Sequence, residues 1–218
     1  MYQVKTTLDG SHTIFVPELN EHFHSIYGAV QESNYIFINN GFDTSSADPL
    51  NIFEIGFGTG LNTLLTALKS MSGKREVYYT TIEKHPLDES IVKSLNHHLY
   101  AGESGKGLSD LIHTAPWEQW VRICNNFHLR KIKGDITDWS VSEKFDLIYF
   151  DAFGPDKQPE IWTTDVFASI ASVTEKNGIL VTYSAKGAVK RNLQTSGFAV
   201  TLLPGPQGKR QIIRAVKI

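Results

Sequence analysis

Asn51-Ile-Phe-Glu-Ile-Gly-Phe-Gly-Thr-Gly-Leu-Asn-Thr-Leu-Leu65 is the stretch that decides the fold. An apolar run that ends in an acid and opens onto three alternating glycines predicts a strand, a tight turn and then a helix. Gly56, Gly58 and Gly60 permit positive φ and keep Cβ atoms out of a ligand's way, and an apolar-periodic helix begins over Leu61 to Leu68. A dinucleotide fingerprint needs glycine at its sixth position to seat a pyrophosphate on the helix N-terminus, and here that position is Leu61. Gly-x-Gly-x-Gly with Glu54 two residues ahead of it suits a ligand without phosphates, such as S-adenosylmethionine. A glycine-rich turn by itself also serves as a plain structural bend, so the rest of the chain has to decide.

The 218 residues suit one domain with at most a small appendage. No apolar run approaches the ~20 residues that span a bilayer, and Met1-Tyr-Gln-Val-Lys5 lacks a signal-peptide core, so no membrane association is expected. The single Cys124 excludes an internal disulfide, which fits a cytoplasmic location. Two histidine pairs, His22 with His24 and His97 with His98, have no Cys or acid set at ligand spacing beside them, so no metal site is expected.

The net charge of −2 hides an asymmetry. Residues 1–175 hold 13 Lys/Arg and all 23 Asp/Glu, whereas residues 176–218 hold 8 Lys/Arg and no acid. A basic segment on an acidic protein points to an anionic partner on one face, with RNA the obvious candidate; the plain alternative is a solvated basic surface.

Beyond an irregular first third, strands and helices alternate. Short strands are expected at 12–16 and 35–39, then strand 51–55, helix 60–71, strand 77–83, helix 87–100, a Gly/Ser loop at 102–107, and helix 116–126 starting at Pro116. Strands 127–133 and 145–150, helix 163–175, strand 178–183, helix 187–196 and strands 198–203 and 211–217 follow. Near-continuous apolar strands such as 145–150 belong in a parallel sheet covered on both faces. Pro204-Gly-Pro-Gln-Gly208 is too short for a crossover, so the last two strands must be antiparallel. The expected architecture is α/β: a Rossmann-like class I methyltransferase domain over 49–218, mostly parallel with an antiparallel C-terminal hairpin, and a small N-terminal β appendage over 1–48 packed on it.

Ligands of open α/β sheets lie beyond the carboxyl ends of the strands. Four acids fall there in consecutive order: Glu54, Glu83, Asp135 and Asp151. A carboxylate after the second strand can accept both ribose hydroxyls, and one after the third can accept an adenine amino proton.

Asp151-Ala-Phe-Gly-Pro-Asp-Lys-Gln-Pro-Glu-Ile-Trp162 resembles the signature loop of the methyltransferase half of the bifunctional MnmC family. The similarity continues through Thr163–Phe167, Gly178–Ser184, Val189–Leu193, Ser196–Phe198 and Gly208–Arg210, and upstream through Ile52–Asn62, His24-Ser25, Gly28-Ala29, Glu32-Ser33 and Phe37-Ile38. It implies S-adenosylmethionine-dependent methylation of the aminomethyl group of a tRNA wobble uridine, giving 5-methylaminomethyl(-2-thio)uridine. With it, Phe57, Asn62 and Ile136 join Glu54, Gly56, Gly58, Gly60, Glu83, Asp135 and Asp151 as expected cofactor residues. That family carries a C-terminal flavin-dependent oxidase domain and this sequence stops at Ile218, so a stand-alone methyltransferase version is expected.

Methyl transfer from a sulfonium is an in-line displacement that needs the acceptor nitrogen unprotonated and aligned. An aliphatic amine with a pKa near 10.4 is neutral in about one molecule in 10³ at pH 7. Asp151 is the expected catalytic group, as orienter or base; a role only in shaping the loop stays open. Phe153 and Trp162 are candidates to stack on a base or to be core, with core preferred for Trp162. Pro155 stiffens the loop, and Lys157, Lys186, Lys190, Arg191, Lys209 and Arg210 are candidate phosphate contacts. Two other readings remain at this stage: another amine methyltransferase or an aminopropyltransferase, against which the glycine motif and basic C-terminal third argue, and a non-catalytic RNA-binding subunit.

Overall fold

The computed structural model describes residues 2–218; Met1, the first residue of the expected appendage, lies outside the described residues. β1 (Gln3–Thr6), β2 (His12–Val16) and β3 (Glu21–His22) make a small antiparallel sheet, joined by short turns. α1 (Ala29–Ser33) then runs directly into a π-helical turn, Asn34–Asn39. Residues 35–39, expected as a strand, are therefore helical. Five mostly apolar residues carry too little periodicity to separate a strand from a buried helix, and continuity with α1 settles it. Ile36 and Phe37 enter the main core, where the Phe37 ring lies 5.1 Å from that of Tyr149.

The main sheet follows as β4 (Leu50–Ile55), α2 (Leu61–Met71), β5 (Val77–Glu83), α3 (Glu89–Lys93), α4 (Gly105–Thr114), β6 (Trp120–Cys124), β7 (Phe127–Lys133), β8 (Phe145–Phe150), α5 (Thr164–Val173), β9 (Thr174–Thr182), α6 (Gly187–Thr195), β10 (Phe198–Pro204) and β11 (Gln211–Lys217). Its strand order is β10-β11-β9-β8-β4-β5-β7-β6. The five central strands are parallel, and β11, β10 and β6 are antiparallel to their neighbours. Period-2 alternation divides the core between the two faces: Ile52 and Leu50 pack with Tyr79 and Leu147 on one side, and Phe53 and Ile55 pack with Phe150 and Phe167 on the other.

Four other expectations change. Residues 116–126, expected as a helix, hold the edge strand β6, which turns at Asn125-Asn126 into β7. Val121, Ile123 and Trp120 favour a strand, and that turn signal outweighs the proline at 116. The Gly/Ser loop at 102–107 leads into α4, because Leu108 and Ile112, four apart, both bury on one helix face. The expected helix 87–100 is two short pieces, α3 and the 3-10 turn His97–Ala101. α5 ends at Val173, because β9 already starts at Thr174.

The strand order reverses between β4 and β8: β5 and β7 lie to one side of β4, and β8 and β9 to the other. The carboxyl ends of these two strands therefore diverge around a crevice, the usual ligand position in such sheets.

Candidate active site

A cavity of about 730 Å³ occupies that crevice. Its floor is the carboxyl edge of the sheet: Ile55 and Gly56 from β4, Ile82 and Glu83 from β5, Gly134, Asp135 and Ile136 after β7, and Asp151 after β8. Segments far away in sequence form the walls and roof. Residues 21–27 and Glu32 come from the N-terminal third, Phe153–Gln158 from the loop after β8, Tyr183 and Lys186 from beyond β9, and Gly208 and Lys209 from the last hairpin.

The glycine turn is held by the site it borders. Gly58 has φ of +49°, and its backbone N–H donates to Glu83 Oε2 at 3.0 Å, while Glu83 Oε1 accepts from His85 N at 2.8 Å. A Cβ on Gly56 would stand 2.6 Å from the carbonyl oxygen of Asp151, so the β4 and β8 ends can approach this closely only with glycine there. Phe23 roofs the turn, 3.1 Å from where a Gly58 Cβ would lie, and packs edge-on against Phe153 at 5.0 Å.

Asp151 is partly buried, and its Oδ2 accepts from Asn62 Nδ2 at 2.8 Å. Burial, reinforced by the charge of Glu32 and opposed by Asn62 and Lys209, pushes its carboxyl up to about 7. Glu54 is fully buried one layer below, outside the cavity lining, with Thr63 Oγ1 donating to its Oε2 at 3.3 Å. Burial pushes it up to about 8, so it is protonated at neutral pH and supports α2 from beneath. At Asp135 burial works in the upward direction, yet hydrogen bonds from Lys84 (2.6 Å) and Thr137 N (3.0 Å) keep its carboxyl below the usual range.

Of the residues expected at the cofactor, Gly56, Gly58, Glu83, Asp135, Ile136 and Asp151 meet in one cavity. Glu54 and Asn62 stand behind it, and Phe57 and Gly60 face a second hollow of about 420 Å³ on the other side of the glycine turn. That hollow also takes in Lys131, a buried lysine whose Nζ donates to the carbonyls of Ile112 and His113, 2.9 Å each, at the end of α4. Among the expected acceptor contacts, Phe153, Pro155, Lys157, Lys186 and Lys209 line the main cavity, whereas Lys190, Arg191 and Arg210 lie outside it. Lys186 is paired with Asp156. Lys209 turns inward: its Nζ sits 3.0 Å from Glu32 Oε1 and 4.9 Å from the Tyr183 ring centre. Trp162 is buried, donating from Nε1 to the Phe153 carbonyl at 2.8 Å. The histidines keep separate partners, His24 with Thr59 Oγ1 (2.7 Å) and His97 with the His12 carbonyl (2.6 Å). The roof residues Phe23 and Tyr27, and Glu32 and Tyr183 beside Asp151, were not expected as site residues. The only signal in the sequence was the unassigned similarity of the segments around His24, Glu32 and Tyr183.

The cavity fits an adenosyl ligand on its own chemistry. The fixed Glu83 carboxylate has lone pairs left for ribose hydroxyls, Ile82 and Ile136 offer apolar flanks, and the glycines leave backbone exposed to the ligand. A family profile described as "S-adenosyl-L-methionine-dependent methyltransferase" matches residues 112–218. The crystal structure of MnmC2 from Aquifex aeolicus superposes with a TM-score of 0.80 and 27% identity, covering 99% of this chain and 69% of that one. The chain is thus similar over nearly its whole length to MnmC2, and its C-terminal half matches a profile of S-adenosylmethionine-dependent methyltransferases. The tRNA 5-methylaminomethyl-2-thiouridine biosynthesis bifunctional protein MnmC of Burkholderia multivorans is 28% identical to it over 92% of this chain and 33% of its own length. The protein of the same name from Campylobacter hominis is 30% identical over 90% of this chain and 30% of its own. The MnmC-like chain thus spans about a third of the length of the curated relatives it matches.

Proposed function

We propose that this methyltransferase acts on the primary amine of a 5-aminomethyl group at the wobble uridine of tRNA, giving 5-methylaminomethyl(-2-thio)uridine. The observation that carries the reading is Asp151: a carboxylate raised to about 7 at the floor of a cofactor-sized cavity, in a chain similar over 92% of its length to proteins named for 5-methylaminomethyl-2-thiouridine biosynthesis. Bound S-adenosylmethionine supplies an electrophilic sulfonium methyl, and the protein has to present a neutral nitrogen in line with it. Asp151 accepts the proton released by the acceptor's ammonium. Moving it from a group near 10.4 to one near 7 costs about 4–5 kcal/mol in the absence of other effects, and burial of the ammonium in the cavity reduces that cost. Asn62 holds the carboxylate in one orientation, and Phe153, on the cavity wall, offers a ring face to a base.

In this reading residues 49–218 are the catalytic domain and the segment up to 48 is its roof. The basic side chains outside the cavity, Lys190, Arg191 and Arg210, with Lys157 and Lys186 at the wall, guide the RNA backbone. No helix among the described residues is long and apolar enough to cross a membrane, and a tRNA substrate places the enzyme in the cytoplasm. Aminopropyl transfer is the weaker reading, because a basic C-terminal third repels a polyamine. Mass spectrometry of wobble nucleosides from cells lacking the protein tests the proposal: methylaminomethyl uridine disappears and its aminomethyl precursor accumulates. An unchanged nucleoside profile overturns it.

A further inference from the structure

Glu32 is a charged residue with no role in the account so far. It lies on α1, 8% exposed, and lines the same cavity as Asp151. Its two oxygens differ. Oε2 accepts the backbone N–H of Ser25 at 2.8 Å, which pins the carboxylate to the roof. Oε1 is buried and has no hydrogen-bond donor, although Lys209 Nζ stands 3.0 Å away, off the line of a directed bond. A buried oxygen without a donor is costly, by about 1–3 kcal/mol, and a site that keeps one open is suited to a ligand that brings the donor. Lys209 meets the charge of Oε1 as an ion pair without giving it a hydrogen bond, so what the oxygen lacks is a directed N–H donor.

We propose that Glu32 is the anchor for the acceptor's protonated amine, receiving an N–H from the ammonium on Oε1 and so delivering the same nitrogen to Asp151. The inference rests on the amine-methylation reading above. Two carboxylates then share one ammonium in distinct roles. Glu32 binds. Asp151 takes the proton: the R–NH3+ N–H bond breaks, an O–H bond forms on Asp151, and the freed lone pair attacks the sulfonium methyl, whose C–S electron pair leaves with sulfur. Lys209 neutralises Glu32 when no acceptor is present, so the cavity does not hold two unbalanced negative charges. This position removes Lys209 from the set of phosphate contacts expected from the sequence.

Charged and titratable groups reach this corner from several elements: Glu32 from α1, Lys209 from the last hairpin, Tyr183 from the end of β9, Glu21 from β3 and the buried Glu54 from β4. The Glu32 charge raises Asp151 and the Lys209 charge lowers it. Removing them therefore moves the acid limb of the rate profile in opposite directions.

The test uses the full chain, tRNA bearing 5-aminomethyl uridine, and saturating S-adenosylmethionine. Wild-type activity comes first: if none is seen, the amine-methylation reading fails and this inference falls with it. Given activity, Glu32→Gln keeps the shape and the Ser25 bond but not the charge. KM for the tRNA should rise at least tenfold, the acid limb should shift to lower pH, and S-adenosylmethionine affinity should be unchanged. Lys209→Met should instead lower KM and shift the limb to higher pH, which also decides the matter if the Glu32 variant does not fold. An unchanged KM and limb in Glu32→Gln, or a raised KM in Lys209→Met as expected for a lost phosphate contact, overturns the proposal while leaving the methylation reading intact.

Discussion

Two residues test whether this site binds the cofactor and whether it reacts as proposed. Gly58 touches the cofactor cavity and the roof, since a Cβ there lies 3.1 Å from the Phe23 ring and its N–H is held by Glu83. Gly58→Asp adds a side chain at positive φ and a second negative charge beside that carboxylate. The rise in melting temperature on adding S-adenosylmethionine should vanish in this variant, while NAD should shift neither protein; a preserved shift would remove the glycine turn from the binding site. Asp151→Ala probes the chemistry. It should lower turnover by about 10²-fold or more at saturating cofactor and acceptor, and full turnover would exclude the carboxylate as the proton acceptor. Asp151 was legible in the sequence because a strand end and a glycine motif fix its place. Glu32 was not, because only the fold brings α1, more than a hundred residues earlier, against the β8 end.

At the scale of elements, legibility followed periodicity. β4 and β8 read correctly as near-continuous apolar runs, β5 and β7 as short β-prone runs, and the last hairpin because the Pro204–Gly208 turn leaves no other pairing. The stretch from 87 to 126 did not, since α3 buries no residue and the glycines at 102–107 mask the start of α4, which packs against α2 and the 3-10 turn 97–101. The charge asymmetry has to be read by element as well. Lys209 faces the cavity, but Arg191 on α6 is exposed and Lys190 beside it is half-buried. If α6 guides the RNA, Lys190→Ala with Arg191→Ala should weaken tRNA binding and flatten its log-log salt dependence by roughly one unit per lost contact, with cofactor affinity unaffected. Wild-type slope in the double variant would make α6 a solvated face.

For the whole molecule, buried titratable groups predict a stability optimum. Burial lowers His24 to about 3 and His97 and His113 to about 4, with neighbouring positive charge adding to it at His24 and His113 and the His12 carbonyl opposing it at His97. Their unfolded forms take up protons below about 6.5 when the folded forms do not, so stability rises with pH across about 4 to 6.5. Glu54 and Asp151, raised to about 8 and 7, act in the opposite sense: folded, they hold protons that the unfolded chain has released, and stability falls as pH climbs from about 4.5 to 8. Three groups outweigh two below 6.5; above it the two carboxylates dominate until Lys131, lowered to about 8 by burial, adds an opposing rise near pH 8. Melting temperature should peak near pH 6.5, and Glu54→Gln should reduce the decline on the alkaline side; a melting temperature that climbs steadily to pH 8 would show that these carboxylates are not protonated in the folded state.

The roof over Asp151 also limits the form in which a nucleobase can arrive. Phe23 and Tyr27 line the cavity that holds the carboxylate, so if the acceptor is a wobble uridine as proposed, its substituent reaches Asp151 only when the base has left its stack. The nucleotide has to swing out of its helix, and it does so at least cost where its neighbours are already unpaired, as in an anticodon loop. An oligonucleotide annealed across that loop should therefore stop methylation completely, even though every phosphate the enzyme could grip on the rest of the tRNA is still present.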